Sequence, residues 1–106
     1  MIRENENSVN VFSTLTTSLN KHGIAKLFSK SGWHVRKSGH DEYEIESEYA
    51  ELEIYGSRKQ ILMSGAVNDY KSTISGIIDL LQQHNIDYQI ECYDQNNNLL
   101  VEYKNS

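Results

Sequence analysis

The stretch that most constrains this fold runs from residue 41 to 55 and reads DEYEIESEYAELEIY. Acidic and apolar residues alternate through it, and a side-chain period of two marks a strand with one wet face. Glu42, Glu44, Glu46 and Glu48 hold even positions, whereas Tyr43, Ile45 and Tyr49 hold odd ones. After Ala50 the parity reverses: Glu51 and Glu53 are odd, Leu52 and Ile54 even. A strand cannot change parity without an extra residue or a turn. A bulge or tight corner is therefore required within 47–50, and with it all six glutamates stay on the solvent side.

The segment holds seven carboxylates from Asp41 to Glu53, with no Lys or Arg between Lys37 and Arg58. Residues 8–40 are the reverse, with no acid but with Lys21, Lys26, Lys30, Arg36 and Lys37. Acids two apart on a strand face lie about 7 Å from one another and repel by roughly 0.6 kcal/mol per pair in water. A folded domain can carry that, and such charges also discourage edge-to-edge aggregation.

The rest of the chain supplies what this strand pairs with. Residues 8–31 predict a helix: Phe12, Leu15 and Leu19 recur at three and four, and Ile24, Leu27 and Phe28 continue the stripe. Ser8 or Asn10 is placed to cap its start, and Gly23 to break it or close its first segment. Gly32 suits the left-handed terminator, and Lys26 and Lys30 the negative end of the helix dipole. Lys21, Lys26 and Lys30 read as lying off the apolar stripe. Residues 33–37, the turn 38–41 and residues 42–46 read as a hairpin. GSRK at 56–59 turns the chain, and QILMSGAV at 60–67, apolar on both faces, suits a central strand. Residues 68–84 predict the clearest helix, capped by Asn68 or Asp69, with Ile74, Ile77, Ile78 and Leu81 as its stripe. Strands at 87–94 and 99–104 flank the turn QNNN. The termini, 1–7 and 105–106, are expected to fray. The expectation is one α+β domain over residues 1–106. Its antiparallel-dominated sheet has five to six strands with two helices packed on one face, in the order α-β-β-β(β)-α-β-β.

A chain of 106 residues makes one modest core. No apolar run approaches the ~20 residues of a membrane span, and MIRENENS lacks the order of a secretory signal. These features predict a cytoplasmic protein that does not engage a membrane. A net charge of −5 argues against direct nucleic-acid contact. The single cysteine, Cys92, shares a strand face with Tyr88 and Ile90 and reads as a buried, inert thiol.

No reaction is legible. The glutamates lie on a flat solvated face without the apolar surroundings that raise a carboxyl pKa for acid catalysis. His40, Asp41 and Glu42 are adjacent, which points their side chains apart, and the acids alternate with Tyr and Ile rather than forming a calcium loop. The four histidines are dispersed, and there is no phosphate-binding glycine loop. The reading is therefore no enzyme, no metal and no cofactor. Tyrosine, with seven copies, is over-used, and Tyr43, Tyr49 and Tyr55 punctuate the acidic segment. Tyrosine amid carboxylates is a common interface composition.

A short acidic α+β chain carrying DEYEIESEYAELEIY and no catalytic motif resembles the immunity proteins of bacterial polymorphic toxins, those of contact-dependent growth inhibition systems above all. The resemblance covers size and character, with no motif to transfer residue by residue. It implies a tight complex with the toxic domain of a cognate toxin, frequently a basic nuclease. The surface expected to bind this basic partner is Glu42, Glu44, Glu46, Glu48, Glu51 and Glu53, with Tyr43 and Tyr49 as anchors. The order helix, strands, helix, two strands also resembles small acidic secretion chaperones, which hold an extended effector segment. Those usually carry a third helix after the last strand, which this reading lacks, so the adaptor stands second.

Overall fold

The computed structural model describes residues 8–105 and is α+β, with two helices and a seven-stranded antiparallel sheet. In chain order the elements are β1 (Val9–Thr16), α1 (Lys21–Lys30), β2 (His34–Gly39), β3 (Glu42–Glu46), β4 (Ala50–Gly56), β5 (Ile61–Val67), α2 (Tyr70–Gln83), β6 (Asp87–Tyr93) and β7 (Leu99–Lys104). The strands lie in the order β2-β3-β4-β5-β1-β6-β7.

The expectation of a helix over 8–31 is corrected at its first half. Residues 9–16 form a strand, and the break falls at 17–20, before Gly23. The segment VNVFSTLT carries four β-branched residues in eight, which lowers helix propensity and favours a pleated surface. Val9, Val11, Ser13 and Leu15 are buried on one side, whereas Asn10, Phe12 and Thr16 are exposed on the other. The three-and-four spacing of Phe12, Leu15 and Leu19 was coincidental: Phe12 and Leu15 point to opposite faces, and Leu19 lies in an exposed loop. This strand raises the sheet from the expected five or six strands to seven. It also inserts in the middle, pairing with β5 on one side and β6 on the other.

The second half of that segment is α1. The Asn20 side chain accepts from the Gly23 N–H at 2.7 Å, so Gly23 sits in the first turn and does not break the helix. The helix ends as read: Gly32 adopts φ 94°, and the Trp33 N–H returns to the Phe28 carbonyl at 3.0 Å. Lys21 is not a surface cation of this helix. It is 7% exposed, donates to the Gly56 carbonyl and pairs with Asp41 at 3.1 Å. One of the seven carboxylates is thereby engaged inside the chain.

Both helices cover the same face of the sheet. Ile24, Ala25 and Phe28 of α1 and Ile74, Ile77 and Leu81 of α2 join Ile45, Leu52, Ile54, Met63, Leu15 and Ile90 in one buried cluster. Each of these side chains larger than alanine contributes roughly 1.5–3 kcal/mol by leaving water. Gly65 in β5 is required by a close approach. A Cβ added there would collide with the Glu51 carbonyl oxygen and lie 2.9 Å from the Leu52 Cα. Asp69 is the N-cap of α2, as the sequence allowed, but its side chain makes no capping bond. Asn105, expected to fray, is held: the Tyr88 N–H donates to its Oδ1 at 2.9 Å. The expectation of fraying at 1–7 and at Ser106 falls outside the described residues. No helix among the described residues is long and apolar enough to cross a membrane.

Candidate functional site

The parity reversal is resolved by a corner. Strands β3 and β4 form a hairpin, closed where the Ser47 N–H donates to the Ala50 carbonyl at 2.9 Å. Register then does what the single strand left open. Glu44 lies directly opposite Glu53 and Glu46 directly opposite Glu51, so four glutamates form a two-by-two block on the face that the helices leave uncovered. Directly opposed Cβ atoms are about 5 Å apart, and each like-charge pair costs roughly 0.8 kcal/mol in water, less in salt.

Arg36 on the neighbouring edge strand β2 is the main counter-charge. It lies opposite Glu44 and forms an ion pair with it. Its pKa is raised above the ordinary arginine value, first by the hydrogen bond to Glu44 and then by the charges of Glu44, Glu46 and Glu51. Arg36 thus stands beside a block of four carboxylates at this edge of the sheet.

The face continues beyond the block. Across the strands one row runs Arg36, Glu44, Glu53, Ser64, Phe12, Glu91 and Glu102. The next runs His34, Glu46, Glu51, Ala66, Asn10 and Tyr93. Phe12, 40% exposed, is the large apolar residue at its centre. Tyr55 is fixed nearby by a 3.0 Å hydrogen bond between its hydroxyl and that of Ser64. On the far bank the Tyr93 hydroxyl donates to Glu91 at 3.0 Å, which raises the phenol pKa. The open face therefore consists of two acidic banks with an uncharged lane between them, two strands wide along β5 and β1.

The expected partner-binding residues divide accordingly. Glu44, Glu46, Glu51 and Glu53 are brought together. Glu42 is exposed at the start of β3, where that strand meets its turn, and Glu48 is exposed at the tip of the β3–β4 hairpin. Neither tyrosine joins the block. Tyr43 packs on the helix side against the core, its ring 5.8 Å from that of His22. Tyr49 lies in a groove beside Trp33 and α2. Their odd parity already opposed them to the even glutamates. The aromatic side chains on the glutamate face are Phe12, Tyr55 and Tyr93. In the sequence Phe12 reads as part of a helical stripe, although the alternation in VNVFSTLT is a legible strand signal.

Cys92 is fully buried on the helix side, where desolvation pushes its thiol up to about 11 and leaves it protonated at neutral pH. Among the described residues no group of three or more His, Cys, Asp and Glu side chains is placed to hold a metal ion. Comparison of the chain with family models, with curated proteins and with solved structures yields no match in any of the three.

Proposed function

We propose that this chain is an immunity protein. It binds a cognate toxin domain, a basic nuclease, and neutralises it by covering the cationic site where a phosphate backbone would lie. The observation that carries the reading is the block of Glu44, Glu46, Glu51 and Glu53 on the uncovered face of the sheet. Such a block repels itself in the free protein, and a cationic partner relieves that repulsion on binding. Complementary charge speeds encounter and suppresses wrong partners. Phe12 and Tyr55 add apolar anchor area beside it, in the manner of an interface core with a charged rim. Inhibition is by occlusion, without chemistry of the chain's own.

The test is coexpression with the toxin domain encoded by the adjacent gene. The expected result is a one-to-one complex that has lost nuclease activity. Combined reversal by Glu44→Lys, Glu51→Lys and Glu53→Lys is expected to slow association at least tenfold at low salt and to flatten its salt dependence. An unchanged association rate, with the fold intact by circular dichroism, rejects the electrostatic mechanism.

A further inference from the structure

The bare face of the sheet carries acid on two banks. Glu51 and Glu53 of β4 border it on one side, backed by Glu44 and Glu46 of β3. On the other side stand Glu91 of β6 and, beyond it, Glu102 of β7. Both far-bank carboxylates are held by uncharged donors. The Tyr93 hydroxyl donates to Glu91 at 3.0 Å, and the Gln89 amide donates to Glu102 at 3.1 Å. Among the described residues neither forms an ion pair, whereas Glu44 on the near bank has Arg36. The far carboxylates are thus fixed in place without a cation of the chain's own, which spares a cationic partner the cost of ordering them.

The spacing of the banks is set by the sheet. Glu53, Ser64, Phe12 and Glu91 stand in one row across β4, β5, β1 and β6. Three strand spacings separate Glu53 from Glu91, about 14 Å between backbones. The lane floor is Leu62, Ser64 and Ala66 of β5 with Asn10, Phe12 and Thr14 of β1, all uncharged. From Asn10 to Thr16 the lane runs about 20 Å along the strand. An α-helix with its side chains is about 10–12 Å across, and four turns of it span about 22 Å. One helix therefore matches the lane in width and in length, with an acid row beside each flank. An extended strand directs alternate side chains toward and away from the sheet, so it cannot pack on Phe12 and offer cations to both banks at once. A second copy of this chain, a nucleic acid or an anionic membrane would bring negative charge against negative charge.

We infer that the lane receives an amphipathic α-helix of a basic protein partner, lying along β5 and β1 with an apolar stripe on Phe12 and lysine or arginine on both flanks of that stripe. The stripe supplies anchors three and four residues apart. Ser64 and Ala66, both small, leave room beside the Phe12 ring for them. Long basic side chains lay their stems along the apolar surface and carry their charges outward, to Glu51 and Glu53 on one side and to Glu91 and Glu102 on the other. The inference rests on the basic-partner reading above and adds the form of the segment that the partner presents. It also gives the far bank, which the glutamate block alone leaves without a role, a share in recognition.

The probes are three blocked peptides of identical composition, built from leucine, lysine, alanine and glutamine and long enough for about four helical turns. The first places lysine on both flanks of a helical leucine stripe, the second places every lysine on one flank, and the third alternates leucine and lysine as a strand would. In calorimetric titration of the full chain, the two-flank peptide is expected to bind at least fivefold more tightly than either isomer. Combined Glu91→Gln and Glu102→Gln is expected to abolish its advantage over the one-flank peptide. Asn10→Lys, an exposed change on the lane floor, is expected to weaken the two-flank peptide at least fivefold without lowering Tm. Equal binding of the two helical isomers, tighter binding of the alternating peptide, an undiminished advantage in the Glu91 and Glu102 variant, or failure of all three peptides to bind would each overturn the inference. Each of those results leaves the toxin-binding reading standing, because that reading fails on a different measurement, an unchanged association rate with the toxin domain after reversal of Glu44, Glu51 and Glu53.

Discussion

The chain's two phenylalanines sit on opposite faces of one sheet, and the contrast between them is the contrast between the faces. Phe28, on α1, is fully buried against the covered face, its ring edge-on to Trp33 at 5.1 Å. Phe12 stands 40% exposed on the bare side, with Glu91 beside it and Glu53 two strands away. The covered face is fixed by volume and apolarity, so alterations there cost stability. The bare face holds opposed like charges and an exposed aromatic ring, which add little to stability, so alterations there should register in binding.

The largest effect that tests this contrast is truncation of each phenylalanine. Phe28→Ala is expected to cost about 3–5 kcal/mol in urea unfolding. Phe12→Ala is expected to cost less than about 1 kcal/mol while weakening partner binding. Comparable losses at the two sites would show that the bare face is structural after all.

Next is Gly65→Ala, which puts a methyl group against the β4 backbone. The strands must shift apart, and a loss of about 1–3 kcal/mol is expected. A neutral result would mean that β4 and β5 approach less closely than their register implies.

A smaller effect of opposite sign is expected at Ser13. Its hydroxyl is fully buried on the covered face and finds no hydrogen-bond partner among the described residues. Ser13→Ala is expected to raise stability by about 1 kcal/mol, because an unmet hydroxyl is costly in an apolar core. A decrease would show that the hydroxyl is satisfied.

The smallest expected effect is on the bare face. Glu53→Lys replaces a like-charge pair with Glu44 by an opposite-charge pair and is expected to gain about 0.2–1 kcal/mol. The same change is expected to slow association with a cationic partner. A loss of stability together with unchanged association would remove the distinction between the faces at this site.

Much of this arrangement was legible. The corner at 47–50, the 42–46 strand, the central apolar strand at 60–67, the second helix and the last hairpin all followed from local periods and turn residues. Residues 9–16 did not, because eight residues with apolar positions at 9, 11, 12 and 15 satisfy both a helical and an alternating template. The choice was made by neighbours that are distant in the chain. Strands β5 and β6 offer β1 two rows of backbone partners, and no local pattern encodes their presence. The groove at Trp33 was illegible for the same reason, since it is assembled from the end of α1, the β3–β4 corner and α2.

By itself the sequence determined which residues of 41–55 share a face, because side-chain alternation is a local property of an extended backbone. It also determined that the charge of this face is negative. Only the tertiary structure decided that glutamate stands against glutamate across β3 and β4, that Phe12 lies on their side of the sheet, and that Tyr43 and Tyr49 do not. Those relations depend on strand register and on the face the helices choose to cover, both of which are set by long-range packing of the core.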